Sequence, residues 1–328
     1  MTPTARVYRG TPRNLARLAR ELRAGEVVAV PTETVYGLAA NALDSRACRK
    51  IFAAKGRPLH DPLIVHIHSF EQLALLARPN AAALKLARRF WPGPLTLVLP
   101  KTAVVPDIVS AGRPSVAVRM PSHPLLRRLL QRAGVPLAAP SANPFGYVSP
   151  TTAAHVRDGL GKKIRHILDG GPARIGLEST IVDLRRPDAP RVLRPGAITA
   201  EALARVLGRD VPVMRPGRTR ASSRGGLLAP GTLARHYSPR TPVVLHAALA
   251  ASDDPKQAFV FMRRPAGRAR KNVFWLDARG DLRGVARRLF ATLRQLDGEG
   301  FAAIHVELAS GDGLAVAIND RLRRAAAR

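Results

Sequence analysis

The segment KGRP places two cations on either side of a glycine, at the end of a predicted helix. Lys55 and Arg57 flank Gly56, and a proline follows. A glycine at this position lets the backbone take a left-handed turn, so both cations can point toward one anion, such as a phosphate group. Cations also commonly lie at the carboxyl ends of helices, because the helix dipole favours positive charge there. By itself the motif leaves an anion site and a simple helix cap as alternatives.

The next segment, DPLIVHIH, predicts a short buried strand that carries a histidine toward one face. Alternation places Ile64, His66 and His68 on one face and the apolar residues between them on the other. Two histidines at this spacing could also bind a metal ion, but the segment offers no clear third ligand. A hydrogen-bonded core histidine is the alternative to one that contacts a ligand.

Two loops rich in short polar side chains follow predicted strands. PTETVYGL carries hydroxyls at Thr32, Thr34 and Tyr36 around the carboxylate of Glu33. The segment APSANPFGYVSPT is stiffened by three prolines and carries four further polar side chains, those of Ser141, Asn143, Tyr147 and Ser149. Such loops suit a small polar ligand or phosphate and ribose oxygens, although well-capped surface turns have the same composition.

Further along, GLESTIVDL predicts a strand, and RVLRPG places Arg194 where another strand ends. An arginine there predicts a phosphate or carboxylate contact, with a solvated charge as the alternative. The sequence contains neither a Walker A motif nor a complete dinucleotide fingerprint, and it lacks the signatures of serine hydrolases and zincins. A bound nucleotide would therefore have to be held by other loops.

The elements that must position these loops alternate between strand and helix, which predicts the α/β class. We expect a first domain over residues 1–210. Residues 211–240 contain six arginines, no carboxylate and many Pro, Gly and Ser, which predicts a linker or mobile arm. Strand and helix patterns resume beyond it and predict a smaller α/β domain over residues 241–328.

The composition indicates the compartment and the partners of the protein more than any reaction that it catalyses. With 45 arginines against 8 lysines the chain has a formal charge of +30, which favours a nucleic-acid partner, but the arginines are spread along the whole sequence. Cys48 is the single cysteine, so no internal disulfide can form. We expect it on a helix, with its side chain buried in the protein core. No signal-peptide pattern and no run of 18 apolar residues occurs, so the sequence predicts a cytoplasmic protein with no membrane partner.

Taken together and in this order, the loops resemble the threonylcarbamoyl-AMP synthase family, long form, built on the YrdC-like domain. The matching segments are PTETVYGLAANA, KGRP, PLIVHI, FWPGPLTLVL, VAVRMP, PSAN, SPT, DGG and ESTIVDL, and later APGTLARHYSPRTP, LRQLDGEGFAAIHVE and AINDRLRRAA. The resemblance implies a three-layer YrdC-like domain with a twisted, mixed and partly parallel open sheet, followed by a smaller Rossmann-like domain.

The resemblance also implies an activity. The family makes threonylcarbamoyl-AMP and pyrophosphate from L-threonine, bicarbonate or carbon dioxide, and ATP, with Mg²⁺ held through the ATP phosphates and no metal bound by the protein itself. The product feeds a threonylcarbamoyl transferase machinery that modifies tRNA next to the anticodon. Weak binding of tRNA or double-stranded RNA is a further expectation from the charge.

Residue by residue, the resemblance assigns catalytic roles to Lys55 and Arg57. It assigns ATP binding to Lys55, Arg57, Asp61, Ser115, Ser141, Asn143, Ser149, Arg194, His236 and Tyr237. It assigns threonine binding to Thr34, His66, Arg119 and Ser179. The family usually has Asn at the position of Asp61, so a phosphate contact by that carboxylate is in doubt.

Two rival functions stay open. A carbamoyl-adenylating enzyme of hydrogenase maturation would share the YrdC-like domain, but those proteins carry zinc-finger cysteines and an acylphosphatase-like region that this sequence lacks. A non-catalytic RNA-binding accessory protein would use the basic surface alone, although an aromatic content of 5% argues against a base-stacking platform.

Overall fold

The computed structural model describes residues 4–214, 227–231, 233, 236–267 and 270–327. Strands and helices are interspersed along the chain, and the strands form one sheet of ten strands and another of four. The strands of the larger sheet are β1 (Arg6–Arg9), β2 (Val28–Val30), β3 (Gly37–Asn41), β4 (Ile64–His66), β5 (Leu95–Pro100), β6 (Ser115–Arg119), β7 (Leu137–Ala138), β8 (His166–Asp169), β9 (Thr180–Asp183) and β10 (Arg191–Arg194). The helices that accompany them are α1 (Pro12–Arg23), α2 (Ser45–Lys55), α3 (Phe70–Leu76), α4 (Ala81–Phe90), α5 (Asp107–Ser110), α6 (Pro124–Ala133), α7 (Ala153–Leu160) and α8 (Ala200–Leu207).

The larger sheet is mixed, with the strand order β1-β8-β2-β3-β7-β4-β6-β5-β9-β10. Its central strands β4 and β6 run parallel and place His66 beside Arg119. Strand β5 pairs antiparallel with β6 and parallel with β9. The predicted α/β class and mixed sheet are confirmed.

The period of two along the strands divides the core of this domain into layers. In β2, Val28 and Val30 pack with leucines of α1 and α6, whereas Ala29 faces the opposite side and packs in the cluster built by α2, α3, α4 and α7. Cys48 is fully buried in that second cluster, as predicted. Over β4, β5, β6 and β9, a third apolar cluster is covered by Met214, Leu228 and Ala229. This part of the sheet is where the polar side chains of interest lie.

Helix α2 shows how the sequence determines the local structure beside the cation motif. The Asp44 carboxylate caps the first turn by accepting hydrogen bonds from the amides of Arg46 and Ala47. Gly56 ends the helix with a φ of 64°, in the left-handed region that a residue with a side chain rarely adopts. The helix and its glycine turn, both predicted, are confirmed.

The smaller sheet belongs to a second α/β domain. Its strands are β11 (Val243–His246), β12 (Gln257–Arg263), β13 (Val273–Asp277) and β14 (Ala303–Glu307), all parallel, in the order β11-β14-β12-β13. Helices α9 (Leu282–Asp297) and α10 (Leu314–Ala326) bury their apolar faces against it. A second, smaller α/β domain is thereby confirmed. Within the described residues, no helix is both long enough and apolar enough to cross a membrane.

Candidate active site

A polar cavity lies on the larger sheet, beside the third apolar cluster. Nine of the fourteen residues assigned above to ATP or threonine binding line it, namely Thr34, Arg57, His66, Arg119, Ser141, Ser179, Arg194, His236 and Tyr237. They come from loops and strand ends that are far apart in the sequence, so the sheet topology brings them together. The cavity has a volume of about 40 Å³.

One wall of the cavity contains an ion pair between Arg119 and Glu33, and Arg119 also holds the side-chain hydroxyl of Thr34. Arg119, at the end of β6, places its Nη2 atom 2.7 Å from Glu33 Oε1, and its Nη1 donates a hydrogen bond of 2.9 Å to Thr34 Oγ1. Burial alone would raise the pKa of Glu33, but the charge of Arg119 holds it below its usual value. From the sequence Glu33 is recognisable only as a carboxylate among loop hydroxyls, and its contact with Arg119 is not evident.

His66 lies beside this pair at the end of β4. The side chain is buried, and its Nδ1 atom has no hydrogen-bond partner among the described residues. Burial, together with the nearby charge of Arg119, lowers the pKa of His66 to about 3. The imidazole is therefore neutral at pH 7 and offers a substrate amine a polar neighbour without charge repulsion.

Arg194 and Ser179 form the next part of the wall. The Arg194 guanidinium donates hydrogen bonds from Nε and Nη2 to Ser179 O, at 3.1 and 3.0 Å, and from Nη2 to Ser179 Oγ at 3.1 Å. Ser179 Oγ also lies 2.8 Å from Thr96 Oγ1. Arg194 is buried, so the alternative of a solvated charge is wrong.

The two cations of the KGRP motif occupy different positions. Arg57 lines the cavity and forms an ion pair with Asp61, with 2.9 Å between Arg57 Nη2 and Asp61 Oδ1. Lys55 lies behind the lining, where its Nζ donates to the carbonyl oxygens of Ser141 at 2.6 Å and Asn143 at 2.5 Å. Burial, with the charge of Arg57, lowers the pKa of Lys55 well below its usual value. The lysine thus connects its own helix end to the PSAN loop.

The remaining predicted ATP contacts lie outside the lining. Asp61 is the counter-ion of Arg57, Asn143 Nδ2 donates to the carbonyl of Tyr147 at 2.8 Å, and Ser149 Oγ donates to Glu178 Oε1 at 2.5 Å. Ser115 begins β6, on the same strand face as Arg119 but four residues before it. Whether these residues contact ATP stays a prediction.

His236 and Tyr237 close the cavity from the predicted linker. Burial lowers the pKa of His236 well below its usual value, and the cations Arg57 and Lys55 act in the same direction. Tyr237 has a φ of 61°, a strained conformation for a bulky residue. The predicted linker, residues 211–240, lies partly outside the described residues, at 215–226, 232, 234 and 235.

This arrangement defines a class of site: buried cations next to a neutral histidine and several hydroxyls, suited to an anionic group and a small polar molecule together. Two family models match the chain. The Sua5/YciO/YrdC model, described as telomere recombination, matches residues 20–196, and the model described as threonylcarbamoyl-AMP synthase, C-terminal domain, matches residues 198–327.

Curated relatives match this sequence over nearly the whole chain. The threonylcarbamoyl-AMP synthase of Pyrococcus abyssi is 43% identical, with 93% of this chain and 91% of the relative covered. That of Bacillus subtilis is 40% identical, with 95% and 92% covered. The crystal structure of P. abyssi Sua5 complexed with L-threonine superimposes with a TM-score of 0.88 at 39% identity, covering 98% of this chain and 96% of that one.

The chain therefore belongs to the Sua5/YciO/YrdC family of threonylcarbamoyl-AMP synthases, and it is an enzyme. The resemblance noted in the sequence is confirmed. The structure of Escherichia coli YciO, at 23% identity and a TM-score of 0.52 over 58% of this chain, shares the fold of the first domain.

Proposed function

We propose that this chain is an L-threonylcarbamoyladenylate synthase, a nucleotidyltransferase that makes threonylcarbamoyl-AMP and pyrophosphate from L-threonine, bicarbonate or carbon dioxide, and ATP. The observation that carries the proposal is the juxtaposition in one cavity of a neutral His66, the Arg119–Thr34 pair and the buried cations Arg57 and Arg194. The first two suit an amino acid, and the cations suit a polyphosphate. The product would feed the transferase machinery that modifies tRNA next to the anticodon.

In the mechanism that we infer, the neutral amine of threonine first attacks carbon dioxide. A C–N bond forms as one C–O π bond of carbon dioxide breaks, the nitrogen gives a proton to water, and the result is a carbamate. One carbamate oxygen then attacks the α-phosphorus of ATP, so a P–O bond forms while the bond to pyrophosphate breaks. No covalent enzyme intermediate is needed. Catalysis would consist of electrostatic stabilisation by Arg57 at the cavity and of orientation, to which Lys55 contributes by holding the segment of Ser141 and Asn143.

The carboxylates at the site indicate how Mg²⁺ would be held. Glu33, Asp61 and Glu178 each already face an arginine. No group of three or more His, Cys, Asp or Glu side chains suited to a metal occurs in the described part of the chain. This donor set fits a magnesium ion carried by the ATP phosphates and water rather than one held in a protein cage.

The predicted linker is a good candidate for a lid. The cavity volume of about 40 Å³ is far below the roughly 300–1,000 Å³ of pockets that hold drug-sized ligands. Part of the lining comes from Pro230, Gly231, His236 and Tyr237, and displacement of these residues would enlarge the cavity for ATP. Deletion of residues 218–240 should leave threonine binding intact but lose retention of the adenylate. An equal product yield from the truncated protein would rule out the lid.

The direct test is incubation of the full chain with ATP, Mg²⁺, threonine and ¹³C-bicarbonate, with mass spectrometry of the products and a pyrophosphate assay in parallel. Labelled threonylcarbamoyl-AMP with pyrophosphate supports the proposal. An unlabelled adenylate that forms only when carbamoyl phosphate is added, and that needs no threonine, would point to the carbamoyl-adenylating alternative. Absence of any nucleotide turnover, with salt-dependent RNA binding, would favour the accessory role.

A further inference from the structure

The carboxylate of Glu178 connects the two domains at the cavity wall. Its Oε1 atom accepts a hydrogen bond of 2.5 Å from Ser149 Oγ, and its Oε2 atom accepts one of 2.7 Å from Arg321 Nε. Glu178 lines the cavity directly before Ser179, whereas Arg321 lies on α10 of the second domain. A side chain of the carboxy-terminal helix therefore reaches an acid of the cavity wall.

The surroundings of Arg321 are fully organised. Its side chain is completely buried, Nη1 donates to Asp320 Oδ2 at 2.7 Å, and Nη2 donates to Pro195 O at 2.9 Å. The guanidinium carbon also lies 5.3 Å from the centre of the Tyr237 ring. One arginine thus contacts Glu178, the residue after Arg194, and the linker tyrosine, and each of these positions belongs to the cavity wall or adjoins it.

Helix α9 holds the loop that carries Ser149. Arg294 Nη2 donates to Val148 O at 2.5 Å, and Asp297 Oδ2 accepts a hydrogen bond of 2.6 Å from Tyr147 Oη. Both oxygens of Asp297 are engaged, since Oδ1 accepts from the Thr241 amide at 2.7 Å. Both helices of the second domain therefore support the first domain at residues that adjoin the cavity.

A buried charge of this kind is an expensive way to stabilise a fold. Removing a guanidinium and a carboxylate from water is unfavourable, and well-packed apolar side chains are often as stabilising as the pair. Directional donors, by contrast, fix the positions of their partners. The geometry of Arg321 matches that second role, because each of its nitrogens donates to a different segment.

We propose that Arg321 is a positioning residue for the adenylation reaction, which acts by fixing the Glu178 carboxylate and, through it, Ser149. The second domain is on this view a structural part of the active site. The proposal rests on the proposed synthase function for its kinetic consequence but not for its structural one. Misplacement of a reacting group by about 1 Å can cost ~100-fold in rate, so Arg321→Met should lower kcat/KM for ATP by up to ~100-fold. Threonine affinity should change little, since the contacts of Arg119 with Thr34 remain.

The test is a double-mutant cycle in the full chain with Arg321→Met, Glu178→Gln and the two combined. If Arg321 acts through Glu178, the combined variant loses no more activity than the worse single variant. Effects that multiply would overturn the proposal. Arg321→Lys keeps the charge without the fork and should restore only part of kcat/KM. Arg323→Met is the matched control, because Arg323 is exposed on the same helix.

Arg321→Met leaves a buried carboxylate without its counter-ion and could unfold the protein. If Arg321→Met does not fold, the proposal is tested with the combined variant, which removes both charges, and with Arg321→Lys. Hydrogen exchange gives a readout that does not depend on turnover. We expect faster exchange at the amides of residues 146–149 and 178–180 in the Arg321 variants but not in Arg323→Met. Unchanged exchange overturns the proposal. If the wild-type chain makes no adenylate while the Arg321 variants exchange faster, the synthase function is rejected and the structural role of Arg321 stands.

Discussion

Lys55 offers the sharpest single perturbation, because its environment lets the cost be worked out. The ammonium is buried and donates hydrogen bonds to two carbonyls, those of Ser141 and Asn143. Lys55 lies behind the cavity lining and holds the segment that carries Ser141. Its loss would misplace that segment, and a misplacement of about 1 Å can cost ~100-fold in rate. We therefore expect Lys55→Ala to lower turnover by ~100-fold or more.

Stability has to be measured beside activity for this variant. The substitution leaves two carbonyls without their donor, at about 1–3 kcal/mol each if they stay dry, but it also removes the cost of burying a charge. Lys50→Ala is the control, since Lys50 lies on the same helix with its side chain 45% exposed and paired only with Glu26. Exposed pairs contribute about 0–1 kcal/mol.

The assay is pyrophosphate release at saturating threonine, with the unfolding midpoint of each variant recorded by circular dichroism. We expect a folded Lys55→Ala protein with a large loss of kcat, and a Lys50→Ala protein close to wild type. If the two folded variants turned over at indistinguishable rates, the assignment of Lys55 to catalysis would be wrong.

Three further predictions follow from the geometry. Burial keeps His66 neutral in the folded protein, whereas the unfolded chain binds a proton below pH 6.5, so the contribution of His66 to stability is present above that pH and is lost as pH falls toward about 3. His66→Asn should therefore reduce the dependence of the unfolding free energy on pH, between pH 6 and 4, by up to about 1.4 kcal/mol per pH unit. An unchanged pH dependence in urea titrations would contradict this. Arg119→Lys keeps the charge but loses the planar guanidinium that contacts both Glu33 and Thr34, so the KM for threonine should rise by ~10-fold or more in steady-state assays. An unaltered KM would exclude Arg119 from the threonine site. Gly231 has a φ of 73°, and a Cβ atom there would lie 2.6 Å from Tyr237 Oη, so Gly231→Ala should lower turnover. Gly267→Ala is the control and should not lower it, because Gly267 has a φ of 97° and no atom lies within 4 Å of the added Cβ. Equal activities of the two variants would show that the contact between Gly231 and Tyr237 is not needed for turnover.

Much of the first domain could be predicted from sequence because its local signals agree with its tertiary structure. The Asp44 cap, the apolar face of α2 and the left-handed Gly56 all identify one helix and its end. The α/β class followed from the alternation of strands and helices. Strand β1 was not predicted, because Arg6–Arg9 is a short edge strand with three exposed residues and no apolar run.

The site was predicted in its residue types but not in its contacts. Alternation along PLIVHI placed His66 on a definite strand face, and the cavity lies on that face. The pairing of Glu33 with Arg119 joins residues 86 positions apart, and that of Glu178 with Arg321 joins residues in different domains. No local pattern encodes such long-range pairs, since they depend on strand order and on how the two domains pack.

In the proposed mechanism, an oxygen of the carbamate formed on the threonine nitrogen attacks the α-phosphorus of ATP in this cavity. The most direct measurement is a short incubation of the full chain with ATP, Mg²⁺, threonine and ¹⁸O-bicarbonate, followed by ³¹P NMR and mass spectrometry of the adenylate. We expect ¹⁸O in the oxygen that bridges phosphorus and the carbamoyl carbon, with one pyrophosphate released per adenylate. Formation of ADP and phosphate, or an adenylate whose bridging oxygen carries no label, would contradict it.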